Sequence, residues 1–350
     1  MPADTLRGAV LATVMQAGSD TGPRTTSITM RGGRAPTNAM GDDSVRFEKV
    51  LVTGAGGMLG RAIVKELSGQ CAVAGFDLKR GEADIEWHPG DLTDALSVQA
   101  AVRDCDAVVH VAAIPNIWSG TGEQIMRVNV VGTWNLLAAA EQAGVRRVVL
   151  CSSDSVAGFT VREGSMAPPL YLPIDLDHPL RPTDPYGLSK LLCEEMGRSF
   201  ADRGQLEVVA LRPVFIAYPE MHGEIAIRAK APEAYRGPMA GGPSAAGGGP
   251  VWHHVDPRDV ARAFRLALEL EAVKYDRFFI SANVTLSPEP TLERLRRFLG
   301  CLPEIRRPEV YEQNPFAPLY DLTRNRKILG FDAEFDARSV AFPGATATTS

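Results

Sequence analysis

Short, nearly all-apolar runs alternate with longer stretches of helical period along most of the chain. Lys49–Thr53 is the first such run, and its apolar side chains do not alternate with polar ones. Runs of this kind are typical of strands buried on both faces of a parallel sheet. Further strands are predicted at Ala72–Asp77, Ala107–Val111, Arg147–Cys151 and Glu207–Leu211, and helices at Ala62–Leu67, Ala95–Arg103, Gln124–Ala143 and Tyr186–Phe200. Strands joined by helices need right-handed crossovers, so the pattern predicts a doubly wound parallel α/β fold.

The pattern of apolar and polar positions divides the chain into four parts. Residues 1–45 are rich in Gly, Ser, Thr, Ala and Arg without apolar period, which predicts a disordered N-terminal extension. Residues 46–215 form the predicted nucleotide-binding core, 216–335 a small C-terminal substrate lobe with elements returning to the core, and 336–350 a flexible tail. In the lobe, Asp256–Leu270 and Leu292–Leu299 are predicted helices and Arg277–Ser281 a strand. The glycine-rich stretch Gly237–Pro250 is either a surface insertion or a mobile loop over a pocket.

Composition excludes several classes of protein. A chain of 350 residues with 45% hydrophobic and 23% charged residues is not disordered over its whole length, and a formal net charge of -5 argues against nucleic-acid or membrane partners. The apolar runs are shorter than the roughly 20 residues of a membrane span. The five cysteines contain no C-x-x-C pair, so we expect no disulfide framework, no metal site and a cytoplasmic location.

A glycine-rich turn follows the first predicted strand directly. Gly54, Gly57 and Gly60 satisfy the form G-x-x-G-x-x-G, whereas Leu59 stands where G-x-G-x-x-G would need its last glycine. Glycines between a buried strand and a helix allow a backbone to approach a pyrophosphate, and the helix N-terminus, here with Met58 and Leu59, supplies free N–H groups. This context predicts a Rossmann-type dinucleotide site.

The second predicted strand ends in a carboxylate. Asp77 lies about 20 residues beyond the glycines, where a carboxylate can accept hydrogen bonds from the ribose hydroxyls of NAD and repel the extra phosphate of NADP. Lys79 and Arg80 follow it, and their positive charge leaves a relaxed preference open. We therefore predict NAD as the cofactor.

Tyr186 and Lys190 lie four residues apart, and hence on one face of a predicted helix. An ammonium beside a phenol favours the phenolate, so this pair can exchange a proton near neutral pH. The strand Arg147–Cys151 runs into Ser152 and Ser153 at its carboxyl end, where open α/β sheets bind their ligands. The three features together predict an acid/base site.

These landmarks occur in the order typical of one family. Between the glycine turn and the Tyr-x-x-x-Lys pair lie Gly90-Asp91-Leu92, His110-Val111-Ala112-Ala113 and a helix around Asn129. The chain thus resembles the extended short-chain dehydrogenase/reductase family, in its NAD-dependent epimerase/dehydratase branch. The resemblance covers roughly residues 45–332.

The resemblance implies a role for each matching residue. Tyr186 would be the general acid/base, Lys190 would lower its pKa and hold the nicotinamide ribose, and Ser153 would polarise the substrate oxygen. Asn129 would support a proton relay or be a buried structural amide. Asp91 and Leu92 would contact the adenine and the Ala112-Ala113 backbone would line the cofactor, while His110 is expected to pack at a strand end.

Departures from the family pattern narrow the expected reaction. Asp154 is followed by Ser155 and not by the glutamate of the dehydratases, which argues against a dehydratase. Asp154 is a candidate substrate contact, and either an acid catalyst or a hydrogen-bonded turn residue. The segment after Arg212 lacks the asparagine, and the segment before Val255 the arginine, of nucleotide-sugar epimerases. We expect an NAD-dependent dehydrogenase of a sugar-like secondary alcohol. The alternatives are a nucleotide-sugar epimerase and a non-catalytic NAD(P)-binding sensor.

The resemblance also implies a homodimer. The helices Gln124–Ala143 and Tyr186–Phe200 match those that form a four-helix interface in the family. Leu136, Leu191 and Leu192 are candidates for its apolar face, although core packing explains them equally well.

Overall fold

The computed structural model describes residues 47–159, 168–230 and 252–342. The predicted N-terminal extension, the stretch Gly237–Pro250 and residues 343–350 of the predicted tail lie outside the described residues. The strands are β1 (Lys49–Thr53), β2 (Ala72–Asp77), β3 (Glu86–Pro89), β4 (Ala107–His110), β5 (Arg147–Cys151), β6 (Tyr171–Leu172), β7 (Glu207–Pro213), β8 (Tyr275–Ile280) and β9 (Glu304–Ile305). The α-helices are α1 (Met58–Leu67), α2 (Ala95–Val102), α3 (Gly122–Ile125), α4 (Gly132–Ala143), α5 (Pro185–Asp202), α6 (His222–Lys230), α7 (Pro257–Glu269), α8 (Thr291–Leu299), α9 (Pro308–Gln313) and α10 (Arg338–Ala341).

A seven-stranded sheet in the order β3-β2-β1-β4-β5-β7-β8 forms the centre of the fold. All its pairings are parallel. The chain runs outward from β1 to β2 and β3, and then crosses back to place β4 on the other side of β1. Open α/β sheets bind ligands at this switch point, beyond the carboxyl ends of the strands. The predicted doubly wound fold is confirmed.

Both faces of the sheet are covered by helices. Side chains alternate between the two faces of a strand, so Val50 and Val52 pack towards α1 and α7 while Leu51 packs towards α2, α4 and α5. Every one of these side chains is buried, which explains why the strands are continuously apolar in sequence. The two apolar layers fix the positions of the turns that follow the strands.

The structure corrects four sequence expectations. The short edge strand β3 and the helix α6 were not predicted, nor was the small parallel pair β6–β9. The predicted tail starts later than residue 336, because α10 packs on α6 and buries Ala337 and Ala341. The helix predicted at Gln124–Ala143 contains a π-helical segment, Met126–Val131, between α3 and α4. Leu136 is fully buried, and the exposed apolar residues on these helices are instead Val131, Trp134 and Leu188.

Over the described part of the chain, every helix falls short of the length and apolar character that crossing a bilayer requires.

Candidate active site

The turn after β1 packs so closely that two of its glycines have no room for a side chain. Gly54 adopts a left-handed φ of +71°, and a Cβ there would lie 2.8 Å from the backbone nitrogen of Ala112. A Cβ on Gly60 would lie 2.0 Å from the carbonyl oxygen of Gly54. The helix α1 can therefore begin directly against the turn. No side chain caps its N-terminus, where Gly57 is the N-cap residue, and its first N–H groups remain available to an anion.

Asp77 links the end of β2 to the glycine turn. Its carboxylate accepts hydrogen bonds from the backbone N–H of Gly56 at 3.0 Å and of Leu78 at 2.7 Å. Lys79 and Arg80 follow on the exposed side of the same opening. The carboxylate is therefore oriented by the turn that a pyrophosphate would occupy.

His110, at the end of β4, packs beside the turn. Its Nδ1 lies 2.7 Å from the hydroxyl of Thr53 and its Nε2 lies 3.0 Å from that of Thr133. Burial, followed by the charge of Lys190, lowers the pKa of His110 to about 3, so the ring is neutral near pH 7. A neutral, fully bonded ring fits the expected packing role.

Tyr186 and Lys190 project from the first two turns of α5, which Asp184 caps by accepting from the N–H of Gly187 at 2.8 Å. Tyr186 is half-buried, and the hydroxyl of Ser153 acts to lower its pKa. The ammonium of Lys190 donates to the carbonyl of Cys151 at 2.8 Å, and its nitrogen lies 5.7 Å from the centre of the Tyr186 ring.

These contacts differ from the expected effect of Lys190 on the phenol. Burial raises the pKa of Tyr186 above its usual value, and the hydrogen bond from Ser153 opposes that increase. The ammonium of Lys190 is directed to the Cys151 carbonyl. In this geometry Tyr186 is a protonated phenol, poised to donate to a substrate oxygen.

Ser153 and Asp154 form the floor of the site beside Tyr186. The Ser153 hydroxyl contacts Asp154 Oδ1 at 3.3 Å and Ser155 Oγ at 2.8 Å. Asp154 also accepts a hydrogen bond from the hydroxyl of Tyr320 at 3.0 Å. Tyr320 comes from the C-terminal part of the chain, and no sequence pattern singled it out. Its stacking on Phe279, with ring centres 4.3 Å apart, fixes the phenol beneath the site.

Asn129 lies in the π-helical segment but outside the lining of the cleft. Its side-chain oxygen accepts from the N–H of Ile114 at 2.8 Å, and its amide nitrogen donates to the Ile114 carbonyl and to the Ser189 hydroxyl. The side chain is 1% exposed. This geometry favours the structural alternative, in which Asn129 ties the loop after β4 to α5.

One cleft of about 1680 Å³ brings the other predicted residues together at the carboxyl ends of the strands. Its lining contains every predicted cofactor and substrate residue: Gly54, Gly57, Met58, Leu59, Gly60, Asp77, Asp91, Leu92, Ala112, Ala113, Ser153, Asp154, Tyr186 and Lys190. Typical small-molecule sites enclose roughly 300–1,000 Å³. The cleft therefore has room for a dinucleotide and a second small molecule, and the glycine turn, free N–H groups and carboxylate fit a dinucleotide.

Part of the cleft lining is apolar. Its walls include residues that sequence patterns did not assign to the site: Ile114, Trp118, Phe215, Ile216, Tyr218 and Met221. In the described ranges, the cationic side chains lining the cleft are Lys79, Arg80 and Lys190. The same ranges contain no cluster of three His, Cys, Asp or Glu residues arranged to hold a metal ion.

Comparison with known proteins gives one family match and several relatives. The model of the NAD dependent epimerase/dehydratase family matches residues 50–280. A uronate dehydrogenase of Agrobacterium fabrum is 31% identical over 170 residues, covering 47% of this chain and 60% of the relative. An L-arabinose 1-dehydrogenase (NAD(P)(+)) of Haloferax volcanii is 31% identical over 168 residues, covering 47% and 65%. The chain thus aligns with less than two thirds of the length of these curated relatives.

The structure is also similar to a solved one. A short-chain dehydrogenase/reductase superfamily protein from Agrobacterium tumefaciens, crystallised with bound NAD, superimposes with a TM-score of 0.63 and is 28% identical. The superposition covers 84% of this chain and 95% of that protein.

Proposed function

Because this chain belongs to the NAD dependent epimerase/dehydratase family, we propose that it is an NAD-dependent oxidoreductase acting at a secondary alcohol or ketone of a sugar-like small molecule. The observation that carries the proposal is that Ser153, Tyr186 and Lys190 line the same cleft as the glycine turn. Two hydroxyl groups converge there on a space beside a dinucleotide-sized groove.

Each residue has a task that its geometry supports. The backbone N–H groups at the start of α1 bind the pyrophosphate, and Asp77 accepts from the adenosine ribose. Ser153 hydrogen-bonds the substrate oxygen and holds it against Tyr186. During oxidation the phenolate of Tyr186 takes the hydroxyl proton, and during reduction the phenol returns it to the carbonyl oxygen. NAD, when bound, supplies the hydride acceptor.

For this reaction the ammonium of Lys190 needs a second hydrogen-bond partner. Its ammonium now donates to the Cys151 carbonyl, and two further N–H bonds remain for the nicotinamide ribose. An ammonium held between that ribose and the phenol stabilises the phenolate, which burial alone disfavours. With a nicotinamide ribose bound, Lys190 would hold its hydroxyls and would favour the phenolate of Tyr186.

The apolar part of the cleft lining favours a substrate without a diphosphate. Phe215 and Ile216 line the cleft and belong to the segment that carries an asparagine in nucleotide-sugar epimerases. A diphosphate requires charge-assisted hydrogen-bond donors. Trp118, 43% exposed at the mouth, offers a flat surface for the apolar face of a sugar ring. A free aldose, sugar acid or polyol fits this lining better than a nucleotide sugar.

The test is a panel assay with purified protein and NAD. We expect the absorbance of reduced nicotinamide to appear with at least one aldose, uronate or polyol and to accumulate in proportion to substrate consumed. Interconversion of a nucleotide sugar without net reduction of NAD would instead identify an epimerase. Binding of NAD without turnover of any compound would support the non-catalytic sensor.

We further propose that the protein is a cytosolic homodimer. All five cysteines are unpaired thiols, as expected in a reducing compartment. Val131, Trp134 and Leu188 are between 40% and 48% exposed on the helices that the resemblance assigns to a dimer interface. Light scattering should give twice the mass of one chain, and a monomeric mass at micromolar concentration would contradict the proposed dimer.

A further inference from the structure

Three consecutive residues at the end of β5 contact three successive turns of α5. Cys151 accepts from Lys190 through its carbonyl, and Ser153 lies close enough to Tyr186 for its hydroxyl to lower the pKa of that phenol. Between them, the Ser152 hydroxyl donates to Glu194 Oε1 at 2.5 Å. Tyr186, Lys190 and Glu194 are spaced by four residues, so they lie on one face of the helix at intervals of about 6 Å. Glu194 is the member of this face that the proposed reaction leaves without a task.

Glu194 is held from a third element as well. Arg212, on β7, donates through Nε to Oε1 at 2.8 Å and through Nη2 to Oε2 at 2.6 Å. The carboxylate is 1% exposed and the guanidinium 0% exposed. Two parallel bonds to a planar guanidinium fix both the position and the rotation of the carboxylate.

Stability alone does not explain a charged pair in this position. Removing two charges from water costs several kcal/mol per ion, and replacing such pairs with apolar residues is often neutral or stabilising. Beside the pair, a Cβ on Gly197 would lie 2.8 Å from Leu150 Cδ1, so α5 already packs closely on β5 through apolar contacts. Those contacts resist separation of helix and sheet, but they do not fix how far the helix slides or rotates.

We propose that Glu194 is a positioning residue: oriented by Arg212 and bonded to Ser152, it fixes the axial position and rotation of α5 so that Tyr186 meets Ser153. Its side chain touches neither substrate nor cofactor. The proposal rests on the proposed hydride-transfer function, because it assigns the alignment of that acid/base pair. Ser152 is the sensitive link, since it is the immediate chain neighbour of Ser153.

The strand pair β5 and β7 provides a matched control at its other end. There Arg147 donates to Glu207 at 2.7 Å, with the guanidinium fully buried, at the amino ends of the same strands. Both pairs join an arginine to a glutamate, but only the Glu194 pair adjoins the cleft. Glu207→Gln therefore tests loss of a structural ion pair without a change at the site.

The experiment compares Ser152→Ala, Glu194→Gln and Glu207→Gln in the full chain. A displacement of about 1 Å at a reacting centre costs about 100-fold in rate, so we expect Glu194→Gln to lower kcat about 10- to 100-fold and Ser152→Ala about 3- to 10-fold. The KM for the alcohol and the Kd for NAD should change less than about threefold, because uniform binding is retained. Glu207→Gln should keep the wild-type kcat and lower only the melting temperature.

A spectroscopic measurement separates this proposal from the proposed function. The ¹³Cζ chemical shift of Tyr186 in the protein without NAD, assigned with Tyr186→Phe, reports the phenol's hydrogen bond. We expect it to move in Ser152→Ala and Glu194→Gln and to stay in place in Glu207→Gln.

Each result has one interpretation. If the wild type reduces NAD while kcat and the chemical shift are unchanged in both site variants, the positioning role is overturned and the proposed function stands. If the wild type turns over no alcohol, the proposed function fails, and the chemical shift still decides whether Glu194 aligns Tyr186. Should Glu194→Gln not fold, Ser152→Ala, which removes one hydroxyl, carries the same test.

Discussion

Substitution of Gly57 is expected to weaken binding of the cofactor while the fold is retained. A Cβ added there would meet one protein atom within 4 Å, the carbonyl oxygen of Gly54, at a tight 3.2 Å that requires a shift of a few tenths of an ångström. Gly57 lines the cleft, so the added methyl group would take up space where the pyrophosphate is expected. By contrast, a Cβ on Gly60 would lie 2.0 Å from that same oxygen, a distance that forces the backbone to move.

These distances predict opposite effects for the two substitutions. Gly57→Ala should change the free energy of unfolding by less than about 1 kcal/mol, yet it should displace at least one N–H bond to the pyrophosphate. A charge-assisted bond contributes about 1.5–3 kcal/mol, so the Kd for NAD should rise about 10- to 100-fold. Gly60→Ala should destabilise the fold by about 1–3 kcal/mol through overpacking and weaken NAD binding as well.

Calorimetric titration with NAD and urea unfolding measure the two quantities separately. Gly223→Ala is the control, because no atom lies within 4 Å of a Cβ at that position in α6 and alanine favours helix. We expect it to bind NAD normally and to be equally or more stable. Tight NAD binding by Gly57→Ala would refute the placement of the pyrophosphate at this turn.

Three further predictions concern single side chains. Tyr186→Phe should lower kcat by about 10²- to 10⁴-fold, the usual contribution of a general acid/base, while calorimetry shows an unchanged Kd for NAD. Asp77→Asn should raise the ratio of kcat/KM for NADP over NAD at least about tenfold, because it removes a charge that repels the 2′-phosphate beside Lys79 and Arg80. The pKa of His110 is about 3 in the folded protein and 6.5 in the reference state, so the unfolded chain binds the extra proton and the free energy of unfolding falls as pH drops from about 6.5 towards 3. His110→Gln should reduce that slope by up to about 1.4 kcal/mol per pH unit in urea unfolding.

Each of these has a clear contrary result. Full activity of Tyr186→Phe would exclude its acid/base role, and an unchanged coenzyme ratio in Asp77→Asn would show that another group selects NAD. An identical pH slope in His110→Gln would mean that the imidazole titrates equally in the folded and unfolded chain.

Local patterns predicted the parts of the site that are made by neighbouring residues. The glycine turn and the Tyr186–Lys190 pair each lie within one short segment, where spacing alone determines which groups meet. Asp77 was also predictable, because the length of one helix and one strand separates it from the turn. The edge strand Glu86–Pro89 was missed since it is four residues long, only partly buried and ends in proline.

Contacts between distant segments were not predictable in the same way. The hydroxyl of Tyr320 bonds to Asp154 across 166 residues of sequence. Arg212 on the strand β7 bonds to Glu194 on the helix α5. The effect of Lys190 on the phenol stays a prediction, because spacing places the ammonium near Tyr186 but does not reveal the competing carbonyl of Cys151. Burial of Asn129 likewise depends on the loop after β4, whose course the sequence pattern does not specify.

The bond from Tyr320 to Asp154 has a consequence for the time at which the site is completed during protein synthesis. At about 5–20 residues per second, the ribosome adds the 166 residues between the two partners in roughly ten to thirty seconds. The apolar core around β1 and α1 also includes Phe264 of α7 and Phe331, so the nucleotide-binding segments cannot complete their packing before these later residues emerge. Competence for catalysis is therefore a late event in synthesis, because Asp154 has no Tyr320 hydroxyl to accept from until residue 320 has been added.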